Sequence, residues 1–350
     1  MNSLKNTFVR FKSSPAFTGF VLFVFALVLN LIIRGPGTFL GASSMGTLFA
    51  KNAPIILVTL AQAVLLITGS LDISIGIQLA LVNVVVIMLP QELGMPIPLA
   101  WLFGILVALA ISVVGGFLVA VLRVPSILAT FALTFIVKGI NVLIMNVPQG
   151  SVPKEYYSAY DKVLFGFLPV AALIIAGVLL IWMFVKRTKF GKHIYAVGAN
   201  PRNAFAAGIN PSKTIMKAFL LKGLITGIAG ISLTLMIAAG NPLQVESYGL
   251  KSLAACIIGG LGFGGWGTMA SAVFGAGFLV LIQNAVYYFF NFLQNTLPGF
   301  QITSYWQNFI SDAIVLLGLL MTTVTARAQR EALRQGTSRQ LKRGKQFGKQ

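Results

Sequence analysis

Ionisable side chains within or between apolar segments are the first candidates for chemistry in this 350-residue chain. Asp72 lies in the run ITGSLDISIGI, and Lys138 lies about 18 Å along the helix predicted to start near residue 126. Charged groups inside a membrane usually face the bundle interior and mark routes for ions or solutes. Alternatively, Asp72 could cap a helix starting at Ile73, and Lys138 could extend its ammonium to the outer interface. Asp72 and Lys138 are also conceivable partners of each other.

Amide side chains recur in or at the ends of the apolar segments. Most amides in such positions hold helices together, and each contributes about 1–2 kcal/mol at most. A minority could line the route of a hydroxyl-rich solute, and the sequence does not separate the two groups. The candidate residues for a translocation pathway are Asp72, Asn83, Lys138, Asn141 and Asn284.

Several other chemistries lack the residues that they need. His193 is the only histidine and Cys256 the only cysteine, so a histidine-based triad, a cysteine-rich metal site and an internal disulfide have no second member. The run GFGGWG at 262–267 matches G-x-G-x-x-G, but it connects two apolar spans and predicts a sharp reversal instead of a dinucleotide site. The sequence contains no G-x-x-x-x-G-K-[ST] run. We therefore expect no catalytic residue, metal or bound cofactor in this chain.

The elements that position these residues are membrane-length helices. Hydrophobic residues make up 57% of the chain and charged residues 9%, which excludes a soluble protein. We predict an all-α polytopic membrane protein with about ten transmembrane helices. The eighth segment is the least secure, because it contains Glu246 and Lys251, and it could instead be re-entrant. The predicted spans are 16–33, 48–68, 73–90, 98–122, 126–146, 163–185, 214–239, 245–261, 268–290 and 305–324.

The net charge of +19 fits membrane topology better than nucleic-acid binding, because the basic residues flank the apolar spans. With ten spans and a cytoplasmic N-terminus, most of the 26 basic residues lie on the cytoplasmic side. The prediction is a cytoplasmic stretch 1–15, a membrane domain 16–325 and a basic cytoplasmic tail 326–350. The outer loop 147–162 is expected either to be solvated, with tyrosines at the headgroup level, or to dock an external partner.

One basic stretch, 186–213, carries helix punctuation. Asn200 can cap a helix, Pro201 fits its first position, and Gly208 can end it in a left-handed conformation. This pattern predicts a short helix over 201–207. Asn210 and Pro211 repeat the start signal, so a second helix should begin near residue 212 and continue into an apolar span.

The same stretch, KFGKHIYAVGANPRNAFAAGI, resembles the cytoplasmic coupling loop of the ribose-type permeases of ABC importers. Lys192 replaces the usual arginine, and the pair Gly208 and Ile209 comes slightly early. Three further blocks resemble that family, LDISIG at 71–76, VPSILATFALTFIVKGI at 124–140 and IIGGLGFGGWGT at 257–268. The resemblance implies that the residues coupling the chain to an ATPase are Phe190, Gly191, Tyr195, Gly198, Asn200, Ala206, Ala207 and Gly208.

What the resemblance implies is a permease subunit in the bacterial cytoplasmic (inner) membrane. Its partners would be cytoplasmic ATPase subunits that use the ATP, an extracytoplasmic solute-binding protein and a second permease copy or paralogue. Family members carry monosaccharides, sugar-derived signals and, in some branches, nucleosides. From the residues alone, a secondary transporter driven by an ion gradient through Asp72 and Lys138 remains an alternative, as does a non-transporting scaffold.

Overall fold

The computed structural model describes residues 14–297 and 303–322, and their architecture is a bundle of helices. The predicted tail 326–350 and nearly all of the predicted stretch 1–15 lie outside the described residues. The helices are α1 (Ala16–Arg34), α2 (Pro36–Phe39), α3 (Ala42–Thr68), α4 (Ile75–Leu93), α5 (Ile97–Gly116, continued by a π-helical turn, Phe117–Val121), α6 (Ser126–Ile144), α7 (Lys154–Tyr160), α8 (Val170–Arg187), α9 (Lys189–Ala199), α10 (Pro201–Ala206), α11 (Pro211–Ile237), α12 (Tyr248–Ile258), α13 (Met269–Thr296) and α14 (304–322).

Eight helices in the described ranges are long and apolar enough to cross a membrane, by their length and composition. They are α1, α3, α4, α5, α6, α8, α11 and α13. The tenth predicted span, 305–324, corresponds to α14, which is helical up to residue 322, the last residue that the structure describes. The predicted class, an all-α polytopic membrane protein, is therefore confirmed.

The eighth predicted span differs from the prediction. Residues 245–261 contain only α12, which has 11 residues and would extend about 16 Å, roughly half of a bilayer core. Glu246 lies before this helix in a non-helical linker, and Lys251 within it pairs with Asp312 on α14 at 3.3 Å. The helix starts only after the turn that contains Glu246, so the segment does not form a membrane-length helix.

Helices α3, α4, α11 and α13 form the centre of the bundle. Within their apolar windows, between 61% and 83% of the residues are buried, whereas the windows of α1, α5, α6 and α8 are at most 28% buried. The outer helices expose large apolar side chains such as Leu143 and Phe184. In a membrane protein these surfaces face lipid or another subunit. Polar residues on the central helices are covered by the outer helices and are therefore shielded from water.

Short strands and a helix close the side of the bundle opposite the predicted coupling loop. Strand β1 (Gln149–Ser151) pairs antiparallel with β4 (Ala239–Gly240), and β2 (Val163–Leu164) pairs with β3 (Leu168–Pro169). Between them, the Tyr160 hydroxyl of α7 donates to the Ala50 carbonyl at 2.8 Å and contacts the Ser232 hydroxyl at 2.8 Å. Tyr160 thus anchors the outer loop to α3 and α11. Tyrosines at the headgroup level and docking of an external partner stay predictions.

Candidate functional site

Helix α9 forms the root of the predicted coupling region and was not predicted as a separate helix. The Thr188 side chain caps it by accepting from the Gly191 amide at 3.3 Å. Ile194 and Val197 are fully buried on the face that packs against the bundle. The signals were present in the sequence, since a threonine precedes apolar residues spaced by helical periods.

Gly198, near the end of α9, is seated directly on the backbone of two other elements. A methyl group at Gly198 would overlap the Ile67 carbonyl near the end of α3 and lie 2.8 Å from the Gly265 amide. In turn, the Gly264 amide donates to the Leu66 carbonyl at 3.2 Å. We call this meeting of the end of α3, the end of α9 and the loop 262–267 the glycine joint. It connects the basic loop to a central helix without intervening side chains.

Helix α10 follows the predicted punctuation closely. The Asn200 side chain accepts from the amides of Arg202 and Asn203 at 3.0 and 3.1 Å, and Gly208 has a φ of 80°. The helix ends at Ala206, one residue earlier than predicted. The Asn210 side chain caps α11 in the same way, by accepting from the Lys213 amide at 3.0 Å.

The predicted coupling residues divide into a seated group and an exposed group. Gly191 is buried, Phe190 and Gly198 are half-buried, and burial raises the pKa of Tyr195. Asn200, Ala206, Ala207 and Gly208 are exposed. Phe205, which the sequence reasoning did not single out, is 69% exposed near the end of α10, and an aromatic residue on a short polar helix was the available signal. The basic loop therefore presents one large apolar side chain, Phe205, on a protruding helix.

Asp72 lies in the break between α3 and α4, and its ionic partner is Lys222 on α11. Both side chains are almost completely buried, at 2% and 0% exposure. The conceivable pairing of Asp72 with Lys138 is wrong, because the break directs Asp72 towards α11 in the bundle centre. Asp72 also accepts from the amide of Ser74 at 2.8 Å, so it does cap the turn before α4, although that helix begins at Ile75 and not at Ile73.

Neutral polar groups from three further helices complete the buried pair. The Lys222 ammonium donates to Gln78 Oε1 at 2.7 Å and to Ser112 Oγ at 3.1 Å. The Gln78 amide donates to Asp72 Oδ2 at 3.1 Å. The Gln62 side-chain amide lies beside the backbone of Asp72. Its nitrogen can donate to the Asp72 carbonyl at 3.1 Å, and its oxygen can accept from the Asp72 N–H at 3.3 Å. The network joins α3, α4, α5 and α11 around one carboxylate.

Lys138 pairs with Glu246 in the linker between β4 and α12. Its ammonium lies 3.0 and 2.8 Å from the two carboxylate oxygens, and the two side chains are 37% and 43% exposed. The sequence reasoning missed the partners of Asp72 and Lys138, which are Lys222 and Glu246, although each was visible as an ionisable residue within a predicted span.

The predicted pathway amides hold backbone segments. The Asn83 amide donates to Thr234 Oγ1 at 3.1 Å and to the Ala239 carbonyl at 3.0 Å, and its oxygen accepts from the Asn241 amide at 2.8 Å. The Asn141 amide donates to the carbonyls of Ile77 and Pro242 at 3.2 and 3.0 Å. The structure thus brings Asn141 and Lys138 to the same linker, whereas Asn284 is half-buried on α13.

A family model described as branched-chain amino acid transport system / permease component matches residues 44–323. The chain is 26% identical to the galactose/methyl galactoside import permease of Haemophilus influenzae, over 87% of this chain and 93% of the relative. It is 28% identical to the autoinducer 2 import system permease of Enterobacter sp., over 86% of this chain and 84% of the relative. It is 29% identical to the fructose import permease of Rhizobium meliloti, over 75% of this chain and 76% of the relative. No solved structure gives a significant match. Since the family model covers most of the sequence, the chain belongs to this family of transport-system permease components.

Proposed function

We propose that this chain is the membrane-spanning permease subunit of an ATP-driven ABC importer. It moves a small hydroxylated solute, a monosaccharide, across the bacterial cytoplasmic membrane by alternating access. The observation that carries the proposal is the protruding helix α10, whose root is seated through the glycine joint on the end of the buried helix α3.

The geometry is suited to transmit movement from a separate ATPase. A displacement of α10 pulls on α9, and Gly198 passes the displacement to the end of α3 because the two backbones are in direct contact. The break 69–74 follows immediately, and it carries Asp72 at the centre of the bundle. Movement at the loop is therefore passed to the central helices α3 and α4.

The proposed partners supply what this chain lacks, beginning with a site for ATP. The sequence has no phosphate-binding run, so ATP is bound and hydrolysed by separate cytoplasmic subunits that dock on α10. This chain is then a transport subunit without enzymatic activity of its own. An extracytoplasmic solute-binding protein delivers the solute, and a second permease copy or paralogue completes the route. Both termini are cytoplasmic by the distribution of basic residues.

The solute class rests on the relatives. Their names include import permeases for galactose, fructose and xylose, and one for autoinducer 2. A neutral hydroxylated solute also suits a chain whose central charges occur as pairs. A sugar-derived signal or a nucleoside is the nearest alternative cargo for the same machinery.

A secondary transporter is the second candidate, and the buried Asp72 and Lys222 pair favours it. Paired ionisable groups at the centre of a bundle occur in proton and sodium pathways. This candidate predicts uptake in vesicles that contain the chain alone, driven by a proton or sodium gradient.

The test is affinity purification of the tagged chain from its native membrane in mild detergent, with mass spectrometry of what accompanies it. We expect an ATPase subunit in stoichiometric amount. Phe205→Glu should reduce its recovery at least tenfold, because a charge replaces the exposed apolar contact of α10. Phe165→Glu is the matched control, since Phe165 is 86% exposed at the hairpin between β2 and β3. A chain that purifies alone and transports under an ion gradient would overturn the proposal.

A further inference from the structure

The linker between β4 and α12 places irregular backbone inside the membrane layer. The C-terminal end of α12 leads into the loop of the glycine joint, on the side of the coupling helices. Its 11 residues extend about 16 Å, so its N-terminal end lies about halfway through a core of about 30 Å. Irregular backbone at such a depth is tolerated where it is buried in protein or lines a water-filled cavity.

The linker is rigidly held. Asn141 donates to the Pro242 carbonyl at 3.0 Å, and Asn83 accepts from the Asn241 amide at 2.8 Å. On α4, Gly76 lies so close that a methyl group there would come within 2.5 Å of the Val245 carbonyl and 2.8 Å of the Glu246 carbonyl. The backbone that carries Glu246 is therefore fixed against α4 and α6.

The exposed side of the linker is mainly polar, although Leu243 is also 42% exposed. Gln244, Glu246 and Ser247 are exposed, and Lys138 reaches across from α6 to contact both carboxylate oxygens of Glu246. A charged pair with more than a third of each side chain open cannot face hydrocarbon cheaply, because ionised groups in lipid need water or protein partners. The open face of this pair therefore adjoins water or a protein partner, and not lipid.

The pair has the chemistry to recognise hydroxyl groups. An ammonium carries three N–H groups, of which Glu246 occupies two, and a carboxylate offers about four acceptor positions. Together they can donate to one hydroxyl and accept from its neighbour. Because their charges cancel, they favour a neutral ligand over an ion.

We infer that Lys138 and Glu246, with Gln244 and Ser247, form a recognition site for a neutral polyhydroxylated solute on the wall of a water-filled translocation route. This inference rests on the proposed function and names the part of the chain that the solute contacts in transit. The linker supplies the fixed backbone, and α6 supplies the ammonium.

The first experiment measures water access in the assembled importer, with its ATPase and binding protein, in proteoliposomes. In a Cys256→Ser background, Ser247→Cys should react with a charged, water-soluble thiol reagent. Ile136→Cys is the matched control, because Ile136 is 58% exposed two residues from Lys138 but apolar in its surroundings, and it should stay unlabelled. Absence of labelling of Ser247→Cys in every nucleotide state would overturn the inference.

The second experiment measures recognition with radiolabelled galactose, fructose, xylose and ribose. The sugar that the unmodified importer transports should slow labelling of Ser247→Cys several-fold, and sugars that it does not transport should not.

The variants Glu246→Gln and Lys138→Met should each lower the transport of that sugar at least tenfold, while the ATPase still copurifies. Transport at the unmodified rate in both variants would refute the site and leave the importer function standing. An unmodified importer that moves none of these sugars would instead count against the proposed cargo, and labelling of Ser247→Cys would still report whether the route holds water.

Discussion

The two ion pairs next to α4 differ in almost every physical respect. Asp72 and Lys222 are buried and meet hydrogen-bond partners from three further side chains, Ser74, Gln78 and Ser112. Lys138 and Glu246 are more than a third exposed, and within the described residues their side chains form hydrogen bonds and ion pairs only with each other. The first pair satisfies its charges within the protein, whereas the second leaves hydrogen-bonding capacity open.

The difference separates a structural role from a binding role. A buried pair must be completely satisfied, because each uncompensated charge in a low-dielectric interior is costly. A pair that adjoins water can exchange water for a solute hydroxyl at little cost. The buried pair is therefore suited to fix how the break between α3 and α4 sits on α11, and the open pair is suited to contact a passing solute.

The largest expected effect comes from removing one member of the buried pair. Lys222→Met leaves the Asp72 carboxylate uncompensated in the bundle centre, which should destabilise the fold by about 3–5 kcal/mol. Thermal unfolding of the purified chain in detergent measures the change. The double variant Asp72→Asn with Lys222→Met removes both charges and should recover most of the loss. Equal stability of Lys222→Met and the unmodified chain would contradict a satisfied ion pair at this place.

The sequence predicted local features well and long-range pairing poorly. Asn200, Gly208 and Asn210 were placed correctly because a helix cap depends on residues within three or four positions. The partners of Asp72 and Lys138 lie 150 and 108 positions away, and no local pattern indicates which helices bring them together. The break before α12 contains Glu246, whereas Lys251 lies inside the helix, so residue type alone does not show whether a helix tolerates a charge or starts after it.

An intermediate effect should follow from crowding the open pair without touching its charges. In Gly76→Ala the new methyl group meets the carbonyls of Val245 and Glu246, so the linker must shift or the helix must move. Such overpacking typically costs about 1–3 kcal/mol. Gly139→Ala is the matched control, since a methyl group at Gly139, beside Lys138, meets no atom within 4 Å. Equal thermal shifts in the two variants would show that the linker is not held as tightly as the close approach indicates.

The smallest expected effect is the loss of stability on removing one member of the open pair. Lys138→Met leaves Glu246 in contact with water, and exposed ion pairs contribute about 0–1 kcal/mol, so thermal unfolding in detergent should change far less than in Lys222→Met. The same variant is expected to lose most of its transport. A loss of transport without a loss of stability would identify a site that acts on the solute, because a structural pair affects both measurements together. A thermal shift in Lys138→Met as large as that in Lys222→Met would instead assign both pairs to the fold and abolish the contrast between them.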